Sequence, residues 1–505
     1  MQQYEQNWKL NSQEFGTEFM SINSHGNLAI KAGGSEFDVY DLVRKYGTPL
    51  EILVPEVITN RVRWLRQCFT ESILRQYYQG SYVHCYPLKS NPLPDVVRAA
   101  VIGGASVEVG TRGEAYVAEK LYQSGELSKK SLVICNGAKE EKYLETILTN
   151  QKNSYNIVPV IEAEQEYFLI KDIADKIGLN KTKVGLRVRT GIDLGNVTHW
   201  NSATEQNPFG LKEKDAISLV KDYLLNDKSI KLEILHCHTG SQIESLDGII
   251  KSTEALAEIY TKLRETGVES ISHVDIGGGL PIPYDKTNAL FSAKEYATNV
   301  VASIKKVCAA KSAPTPNIIV EAGRWSCAPA QITVFGTLYT KPVDKELRFV
   351  RVDGSLMTDL PDTWGVSQFF WILPVNSLNK TELKPYWLAG MTCDSDDVYP
   401  PKDHSNKGLE DLPSVQLPDI DNNCYFPGTT EKLYIAVLDT GAYQDSLSGT
   451  KGVKHCLLPD SKKIKITFEG KIDNIFDREG PGESVRRLGW KFNNGQLQNK
   501  APVSI

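Results

Sequence analysis

The residue of this sequence with the clearest potential for chemistry is Lys89, in the segment Tyr86-Pro-Leu-Lys-Ser-Asn-Pro. It directly follows an apolar run, so its side chain can reach a pocket at the end of a buried strand. A lysine amine that is shielded from water can form a Schiff base with an aldehyde. A solvated or ion-paired lysine is the simpler alternative. The companion motifs decide between the two.

A second motif, His236-Cys-His-Thr-Gly-Ser-Gln242, ends another apolar run. Alternate residues of a strand share a face, so His236 and His238 lie on one side. Zinc is one interpretation, but it needs a third ligand, and no Cys/His cluster is close in the sequence. A flat imidazole beside a flat cofactor fits better, and we expect no metal. Gly240 and Ser241 could offer a backbone N–H and a hydroxyl to a phosphate.

A glycine cluster closes the third motif, His273-Val-Asp-Ile-Gly-Gly-Gly279. Glycines let backbone N–H groups approach an anion without a Cβ in the way. A simple tight turn would also explain the glycines. The candidate phosphate-binding residues of this motif are Gly277, Gly278 and Gly279.

The fourth motif, Val320-Glu-Ala-Gly-Arg324, completes the set. Gly323 and Arg324 suit the same phosphate, and Glu321 could hydrogen-bond a protonated ring nitrogen. A buried Glu321–Arg324 ion pair is the alternative, but it would not explain the glycines. A Schiff-base lysine, a phosphate cup, a stacking imidazole and a carboxylate for a pyridinium nitrogen together describe pyridoxal phosphate.

These motifs need a scaffold that gathers strand ends, and the spacing of the apolar runs predicts one. Strand-like runs recur about every 25 residues at first and every 40 to 50 later, which suits strand, loop and helix units. Helical spacing in Asp247–Thr266 supports this pattern. A (β/α)8 TIM barrel brings the C-terminal strand ends into one site. The eight runs are Tyr82–Leu88, Ser106–Gly110, Ser131–Gly137, Val158–Glu162, Lys183–Arg189, Glu233–Gly240, His273–Gly279 and Asn317–Gly323.

Composition excludes several classes of protein. A net charge of −5 over 505 residues gives no basic footprint for nucleic acid. The nine cysteines form no CxxC pairs, which favours a reducing compartment. The N-terminus lacks a basic and an apolar signal region, and no run reaches the ~18 apolar residues of a membrane span. We expect a soluble, cytoplasmic protein.

The chain is too long for a single core and predicts more than one domain. We assign residues 1–45 to an N-terminal segment that joins the β domain, 46–330 to the barrel and 331–505 to a mostly β C-terminal domain. Runs such as Gln331–Tyr339, Leu433–Leu438 and Lys463–Glu469 support the β assignment. The segment Pro400–Gly428 is expected to be a long surface loop.

From about residue 40 onward the chain resembles the barrel-type, alanine racemase-like pyridoxal phosphate-dependent decarboxylases of ornithine, diaminopimelate and arginine. The resemblance rests on the four motifs above together with Cys393-Asp-Ser-Asp and Gly441-Ala-Tyr443. It is strongest to biosynthetic arginine decarboxylase. The segments that carry this subfamily likeness are Glu108-Val-Gly, Ile134-Cys-Asn-Gly-Ala-Lys139, Pro208-Phe-Gly-Leu211, Leu360-Pro-Asp-Thr-Trp-Gly-Val-Ser-Gln368 and Thr392-Cys-Asp-Ser-Asp396.

The resemblance implies a decarboxylase of a basic amino acid, with L-arginine giving agmatine and CO₂ as the first expectation. It also implies a homodimer with shared active sites. Lys89 would hold the cofactor, His238 would stack on its ring and Glu321 would keep the ring nitrogen protonated. The residues expected to bind the cofactor's phosphate are Ser241, Gly277, Gly278, Gly279, Gly323, Arg324 and Tyr443.

The resemblance further implies that Cys393 and Asp394 cross from the second subunit. Cys393 would return a proton to the substrate carbon, although a lone cysteine can also be an inert packing residue. Asp394 and Asp396 would face the substrate's distal cation, and with Asp397 they form an acidic cluster. A calcium loop would need a central glycine and a terminal glutamate that are absent here.

Departures from the arginine enzymes leave the substrate open. The chain is shorter than those enzymes, so assembly beyond a dimer is not implied. Ser90, Thr239, Ala322 and Asp397 replace residues that are typical of the subfamily near the pocket. Ornithine, lysine, a D-enantiomer or a pathway intermediate therefore remain alternatives, and diaminopimelate is less favoured because its second carboxylate would meet the acidic cluster. A racemase would carry an arginine where this chain has Glu321. A catalytically silent homologue would have eroded cofactor contacts.

Overall fold

The computed structural model describes residues 2–194, 202–204, 206–286, 290–401, 413–449, 454–493 and 496–497. Of the loop predicted between Pro400 and Gly428, residues 402–412 lie outside the described residues. In the described remainder, Val415–Pro418 is a strand that pairs with Leu383–Ala389, so the prediction of a continuous loop is wrong there. The described residues form two compact units. One unit falls within Val57–Ile282 and Ala289–Cys327, and the other within Met1–Glu56, Pro283–Asn288 and Ala328–Ile505. The domain boundaries at residues 45 and 330 stay predictions.

The first unit is the predicted barrel, whose eight parallel strands form a ring closed by hydrogen bonds. Each strand begins within a few residues of a predicted run, because the apolar, β-branched runs that mark them are the ones buried in a parallel sheet. The strands are β1 (Tyr82–Pro87), β2 (Ser106–Val109), β3 (Val133–Cys135), β4 (Ile157–Ile161), β5 (Thr182–Arg189), β6 (Ile230–His236), β7 (His273–Asp275) and β8 (Asn317–Val320).

Helices alternate with these strands, as the barrel prediction requires. The predicted helix Asp247–Thr266 is confirmed as Leu246–Glu265. Side-chain caps fix several helix starts, for example Ser292, which forms a capping box with Glu295. The helices of this unit are Pro55–Arg75, Pro94–Ile102, Arg112–Ser124, Glu141–Lys152, Glu164–Ile177, Glu213–Leu219 with the π turn Val220–Leu224, Leu246–Glu265, Ala293–Ala310 and Gly323–Cys327, with a short 3₁₀ turn at Leu88–Ser90 and a two-residue strand at Leu211–Lys212.

Apolar side chains from five of the eight strands meet in the core of the barrel unit. They are fully or almost fully buried and come from β1, β3, β4, β6 and β8 or the residue just before β3. This core holds the strand ends in fixed positions relative to one another, which a site built from several strands requires. The cluster consists of Cys85, Leu132, Ile134, Val158, Val160, Ile234 and Ile319.

The second unit is mostly β, as predicted, and includes the N-terminal segment. Leu50–Leu53 pairs antiparallel with Gln331–Pro342 and parallel with Lys462–Ile466, so early and late parts of the chain share one sheet. A separate antiparallel sheet contains Met20–Ile22, Leu28–Ala32 and Ser35–Asp38. The other strands are Arg348–Val352, Ile372–Pro374, Leu383–Ala389, Val398–Tyr399, Val415–Pro418, Tyr434–Val437, Ile472–Phe476, Phe492–Asn493 and Gln496–Leu497.

Helices are few and short in the described part of this unit. They are Gln2–Asn7, Val39–Tyr46, Asp362–Gly365, Gln444–Ser448 and Pro481–Arg487, with 3₁₀ turns at Ala328–Ala330 and His455–Leu457. Over the residues that the structure describes, none of the helices of either unit combines the length and the apolar character that crossing a membrane requires.

Candidate active site

Lys89 lies in the 3₁₀ turn that follows β1, at the C-terminal end of the barrel strands. Its Nζ donates a hydrogen bond of 2.6 Å to Oε2 of Glu108, a buried residue of β2. The turn packs closely against the residue after β8, because a Cβ on Gly323 would lie 2.0 Å from Ser90 Oγ and 2.4 Å from Pro87 Cγ. Glycine at position 323 is therefore needed for the approach that places the Lys89 turn.

A single amide connects the ends of three strands next to this lysine. Asn136 follows β3, and its Nδ2 donates to Glu108 Oε1 over 2.9 Å and to Glu321 Oε1 over 2.8 Å. An amide nitrogen carries two protons, so it can satisfy both carboxylates at once, and the two acceptors fix the orientation of the amide. Lys89, Glu108, Asn136 and Glu321 thus form one continuous chain of contacts.

The carboxylate of Glu321 lies in a cluster of buried ionisable groups. Burial, followed by the charges of Asp275 and Glu108, raises the pKa of Glu321 to about 8. Burial likewise raises the pKa of Asp275 to about 7 and lowers the pKa of His236 to about 4. His236 Nδ1 lies 3.1 Å from Asp275 Oδ2, although the two groups are not aligned as a hydrogen bond. A cationic N–H beside Glu321 would stabilise its ionised form.

The same cluster offers the one set of ligand atoms, over the described residues, with the spacing of a metal site. One atom each from His236, Asp275 and Glu321 lies within 4.8 Å of the others. His238, the second histidine of the zinc alternative, does not belong to this set. The absence of a metal stays a prediction.

His238 is a neutral imidazole that the glycine cluster holds in place. The N–H of Gly278 donates to His238 Nδ1 over 3.1 Å, so the ring proton lies on Nε2. Burial, with the nearby charges of Lys89 and Arg187, holds the pKa of His238 well below its usual value of 6.5. A Cβ on Gly277 would lie only 2.6 Å from Nδ1, and φ there is +68°, so no other residue fits.

The other predicted phosphate ligands of the barrel unit also converge. Arg324 Nε donates to Ser241 Oγ over 3.3 Å, and Arg324 is buried. Gly279 has φ +106° and a Cβ there would contact Ile243, which again requires glycine. The N–H of Gly277 donates to Asp275 Oδ1 over 2.9 Å. These contacts explain why glycine occupies these positions. The role of the glycines in binding a phosphate stays a prediction.

Cys393, Asp394 and Asp396 lie in the β unit, in the turn after the strand Leu383–Ala389. Buried Asp397 holds this turn in place through hydrogen bonds. It accepts hydrogen bonds from Thr392 N and Oγ1, over 2.9 and 2.6 Å, and from Ser355 Oγ over 3.1 Å. Asp397 therefore serves the turn rather than a ligand, which the acidic cluster in the sequence did not reveal.

Two side chains of the turn meet the short 3₁₀ turn His455–Leu457. Asp394 Oδ2 lies 3.3 Å from His455 Nε2, and Cys393 Sγ lies 4.0 Å from Cys456 Sγ. The turn also lines a cavity of about 360 Å³ in the β unit, together with Lys341 and Arg351. The candidate proton donor and the candidate substrate carboxylate are thus neighbours at an accessible surface.

Tyr443 lies in a segment that buried ion pairs anchor on both sides. It has φ +67° and precedes the helix Gln444–Ser448. Asp439 Oδ2 accepts from Lys286 Nζ over 2.6 Å, and Asp445 Oδ1 accepts from Lys463 Nζ over 2.5 Å. The backbone that carries Tyr443 is therefore held firmly.

Several residues of the site were missed by reasoning from the sequence. Glu108 and Asn136 entered only as parts of the family motifs, and Asp275 was passed over as part of the glycine segment. Arg187 and Glu162, which form an ion pair of 2.6 Å, were named only as members of two strand runs, without a role. Their common signal is a polar side chain at or just past the C-terminal end of a barrel strand, which is where barrel sites are built.

Comparison with known proteins agrees with this geometry. Residues 67–328 match the family model of the pyridoxal binding domain of pyridoxal-dependent decarboxylases. The chain is 24% identical to a biosynthetic arginine decarboxylase of a Nostoc species, covering 92% of this chain and 82% of that protein. It is 25% identical to the chloroplastic arginine decarboxylase 1 of Arabidopsis thaliana, covering 86% and 75%.

Solved structures show the same fold. The biosynthetic arginine decarboxylase of Campylobacter jejuni superposes with a TM-score of 0.78 at 20% identity, over 97% of this chain and 93% of that one. The diaminopimelate decarboxylase of M. jannaschii superposes with a TM-score of 0.76 at 22% identity, over 94% and 98%. At this identity the likeness establishes the barrel and β-domain architecture.

Proposed function

This chain belongs to the pyridoxal-dependent decarboxylase family, whose model matches more than half of it, and we propose that its substrate is L-arginine, which it converts to agmatine and CO₂. The protein is a pyridoxal phosphate-dependent carboxy-lyase. The observation that carries the substrate proposal is the turn Cys393–Asp394, where a thiol and a carboxylate stand side by side. Relatives that share nearly the whole chain and are named arginine decarboxylases support it.

The barrel residues fit the cofactor group by group. A lysine amine, a neutral flat imidazole, a buried carboxylate and a hydroxyl–guanidinium pair match an aldehyde, an aromatic ring, a ring nitrogen and a phosphate. Lys89 would hold the cofactor, His238 would stack on its ring, and Ser241 and Arg324 would bind its phosphate. When bound, pyridoxal phosphate supplies an electron-poor ring that takes up the electron pair left by the departing CO₂.

The acid–base groups of this chain divide the proton handling between them. Glu108 accepts a hydrogen bond from Lys89 Nζ, so it can hold the lysine ammonium away from the reacting carbon. Glu321 would keep a proton on the ring nitrogen, and the hydrogen bond from Asn136 holds Glu321 in position. A carboxylate at this position would stabilise the protonated ring nitrogen, and the resulting cationic ring would accept the electron pair left by CO₂ more readily than a neutral ring.

We infer that the Cys393 turn acts on the substrate from a second copy of the chain. In a homodimer with shared sites, Cys393 would deliver the proton that replaces the carboxylate, and Asp394 and Asp396 would bind the guanidinium. The Gly441-Ala-Tyr443 segment would add Tyr443 to the phosphate site. With agmatine as product, the protein would serve polyamine biosynthesis in the cytoplasm.

The alternative substrates are other cationic amino acids: ornithine, lysine, a D-enantiomer, diaminopimelate or a related intermediate. They would use the same cofactor and the same proton donor, and they differ from L-arginine in the distal group or, for a D-enantiomer, in the configuration at Cα. A catalytically silent homologue is disfavoured because Lys89, His238, Glu321, Arg324 and Ser241 are brought together in one unit.

Release of CO₂ from carboxyl-labelled L-arginine tests the proposal. We expect release by the wild-type protein with pyridoxal phosphate and none by Lys89→Ala. Lys142→Ala, which removes an exposed lysine from the helix Glu141–Lys152, is the matched control and should behave as wild type. Equal release by wild type and Lys89→Ala would refute the lysine assignment, and absence of release by both would refute the substrate.

A further inference from the structure

Two cysteines of this chain stand apart from the rest. Cys393 and Cys456 are exposed, whereas the seven other cysteines are buried. Although 63 residues separate them in the sequence, their Sγ atoms lie 4.0 Å apart, at van der Waals contact. Cys456 does not belong to any of the family motifs in the sequence, so the established chemistry gives no reason for a second thiol here.

We propose that Cys393 and Cys456 are a modification site, at which a hydroperoxide forms a reversible disulfide that switches the decarboxylase off. The switch rests on the proposed function, because it acts through the Cys393 thiol as proton donor. The disulfide itself rests only on the position of the two sulfur atoms.

Both turns are held so that the two thiols stay together. On one side, Asp397 fixes the Cys393 turn through Thr392 and Ser355. On the other side, buried Lys454 precedes the Cys456 turn and binds Asp359 and Asp460, with N···O distances of 2.9 and 3.1 Å. The folded structure therefore keeps the two thiols close to each other.

A direct contact joins the two turns beside the sulfur atoms. The carboxylate of Asp394, next to Cys393, lies 3.3 Å from the imidazole of His455, next to Cys456. A disulfide requires an S–S distance of about 2.05 Å, so the sulfurs must approach by about 2 Å. Both side chains are exposed, so rotation about χ1 can bring the sulfur atoms closer.

The chemistry balances with hydrogen peroxide as oxidant. The thiolate of one cysteine attacks the O–O bond, which breaks to leave a sulfenic acid and hydroxide. The second thiolate then attacks the sulfenic sulfur, the S–O bond breaks, and hydroxide leaves as the S–S bond forms. Together with the two thiol protons, the two hydroxides become two molecules of water. A dithiol such as dithiothreitol reverses the reaction by exchange.

The second thiol changes the fate of the first. A sulfenic acid without a neighbouring thiol is open to further oxidation to a sulfinic acid, which ordinary thiols do not reverse. Because Cys456 is in contact with Cys393, formation of the disulfide competes with further oxidation of the sulfenic acid to a sulfinic acid. In the disulfide, Cys393 has no proton to give, so the substrate carbon cannot be protonated by it.

The experiment treats the purified full-length protein, with pyridoxal phosphate bound, with hydrogen peroxide and then blocks remaining thiols with iodoacetamide. Peptide mapping should show one linked pair of peptides, containing Cys393 and Cys456, with the loss of two hydrogen atoms. The linked pair should be absent from Cys456→Ser and present in Cys424→Ser, which alters a buried cysteine of the same unit. Sulfinic acid at Cys393 without a linked pair would overturn the proposal.

Activity is followed in the same samples. CO₂ release should fall more than about tenfold in wild type as the linked peptide appears, and dithiothreitol should restore both signals. In Cys456→Ser, peroxide inactivation should resist dithiothreitol. A linked pair with unchanged CO₂ release would overturn the switch and leave the decarboxylase proposal intact. If untreated protein releases no CO₂ from any amino acid, the proposed function fails, while the peptide map still decides the disulfide.

Discussion

The amide of Asn136 is the contact that most directly couples the lysine end of the site to the ring-nitrogen end. Replacement by leucine, which has a similar volume, removes a donor shared by Glu108 and Glu321, at 2.9 and 2.8 Å. Each hydrogen bond to a charged group contributes about 1.5–3 kcal/mol, so both together set an upper bound of about 3–6 kcal/mol. The carboxylates keep other contacts, and we expect about 2–4 kcal/mol to appear in catalysis.

At about 1.4 kcal/mol per tenfold change, Asn136→Leu should lower kcat/KM for CO₂ release by about 30-fold to 1000-fold. The matched control is Asn150→Leu, because Asn150 is also a buried asparagine of the barrel unit, but its Nδ2 donates to Thr146 O over 2.8 Å and to Glu119 Oε2 over 3.4 Å, between helices and not at the strand ends. Both variants should lose thermal stability, and only Asn136→Leu should lose activity per folded molecule. Equal kcat/KM for the two variants would refute the coupling of Lys89 and Glu321 through this amide.

Two further predictions concern the same groups. Glu108→Gln should lower kcat by about 10-fold to 100-fold while pyridoxal phosphate still binds, because Lys89 Nζ loses its anionic partner at 2.6 Å. A fall in cofactor affinity with unchanged kcat at saturating cofactor would contradict this role. The melting temperature of the cofactor-free protein should fall as pH rises from 6.5 to about 8, because burial raises the pKa of Glu321 to about 8 and that of Asp275 to about 7, so the folded state retains protons that the unfolded chain has released. The pKa of His236 is lowered to about 4, so His236 has the opposite effect on the melting temperature only below pH 6.5. Glu321→Gln should reduce the fall in melting temperature per pH unit. A melting temperature that rises between pH 6.5 and 8 would contradict the assignment.

The barrel could be predicted from the sequence because its strands are short apolar runs at regular intervals. The strand ends were less predictable: several runs extended past the strand into the loop, as at β7, which ends at Asp275 before the three glycines. The apolar pattern stops marking a strand where glycines and polar residues begin. Those positions are also where the site is built.

The bridge from Glu108 through Asn136 to Glu321 could not be predicted from local pattern. The residues belong to β2, the end of β3 and the end of β8, and only closure of the ring brings them together. Asp397 shows the converse difficulty. In the sequence it is one of three similar carboxylates, and only its burial and its hydrogen bonds to Thr392 and Ser355 reveal that it holds the turn.

The most direct test of the account is a competition in one vessel. Purified protein with pyridoxal phosphate is given equal concentrations of L-arginine, L-ornithine and L-lysine, and the amines formed are measured by mass spectrometry, so that their ratio reports the ratio of kcat/KM. The account predicts that agmatine exceeds putrescine and cadaverine by more than about tenfold, since the acidic turn is assigned to the guanidinium. Predominance of either other amine, or formation of none, would contradict arginine as the substrate.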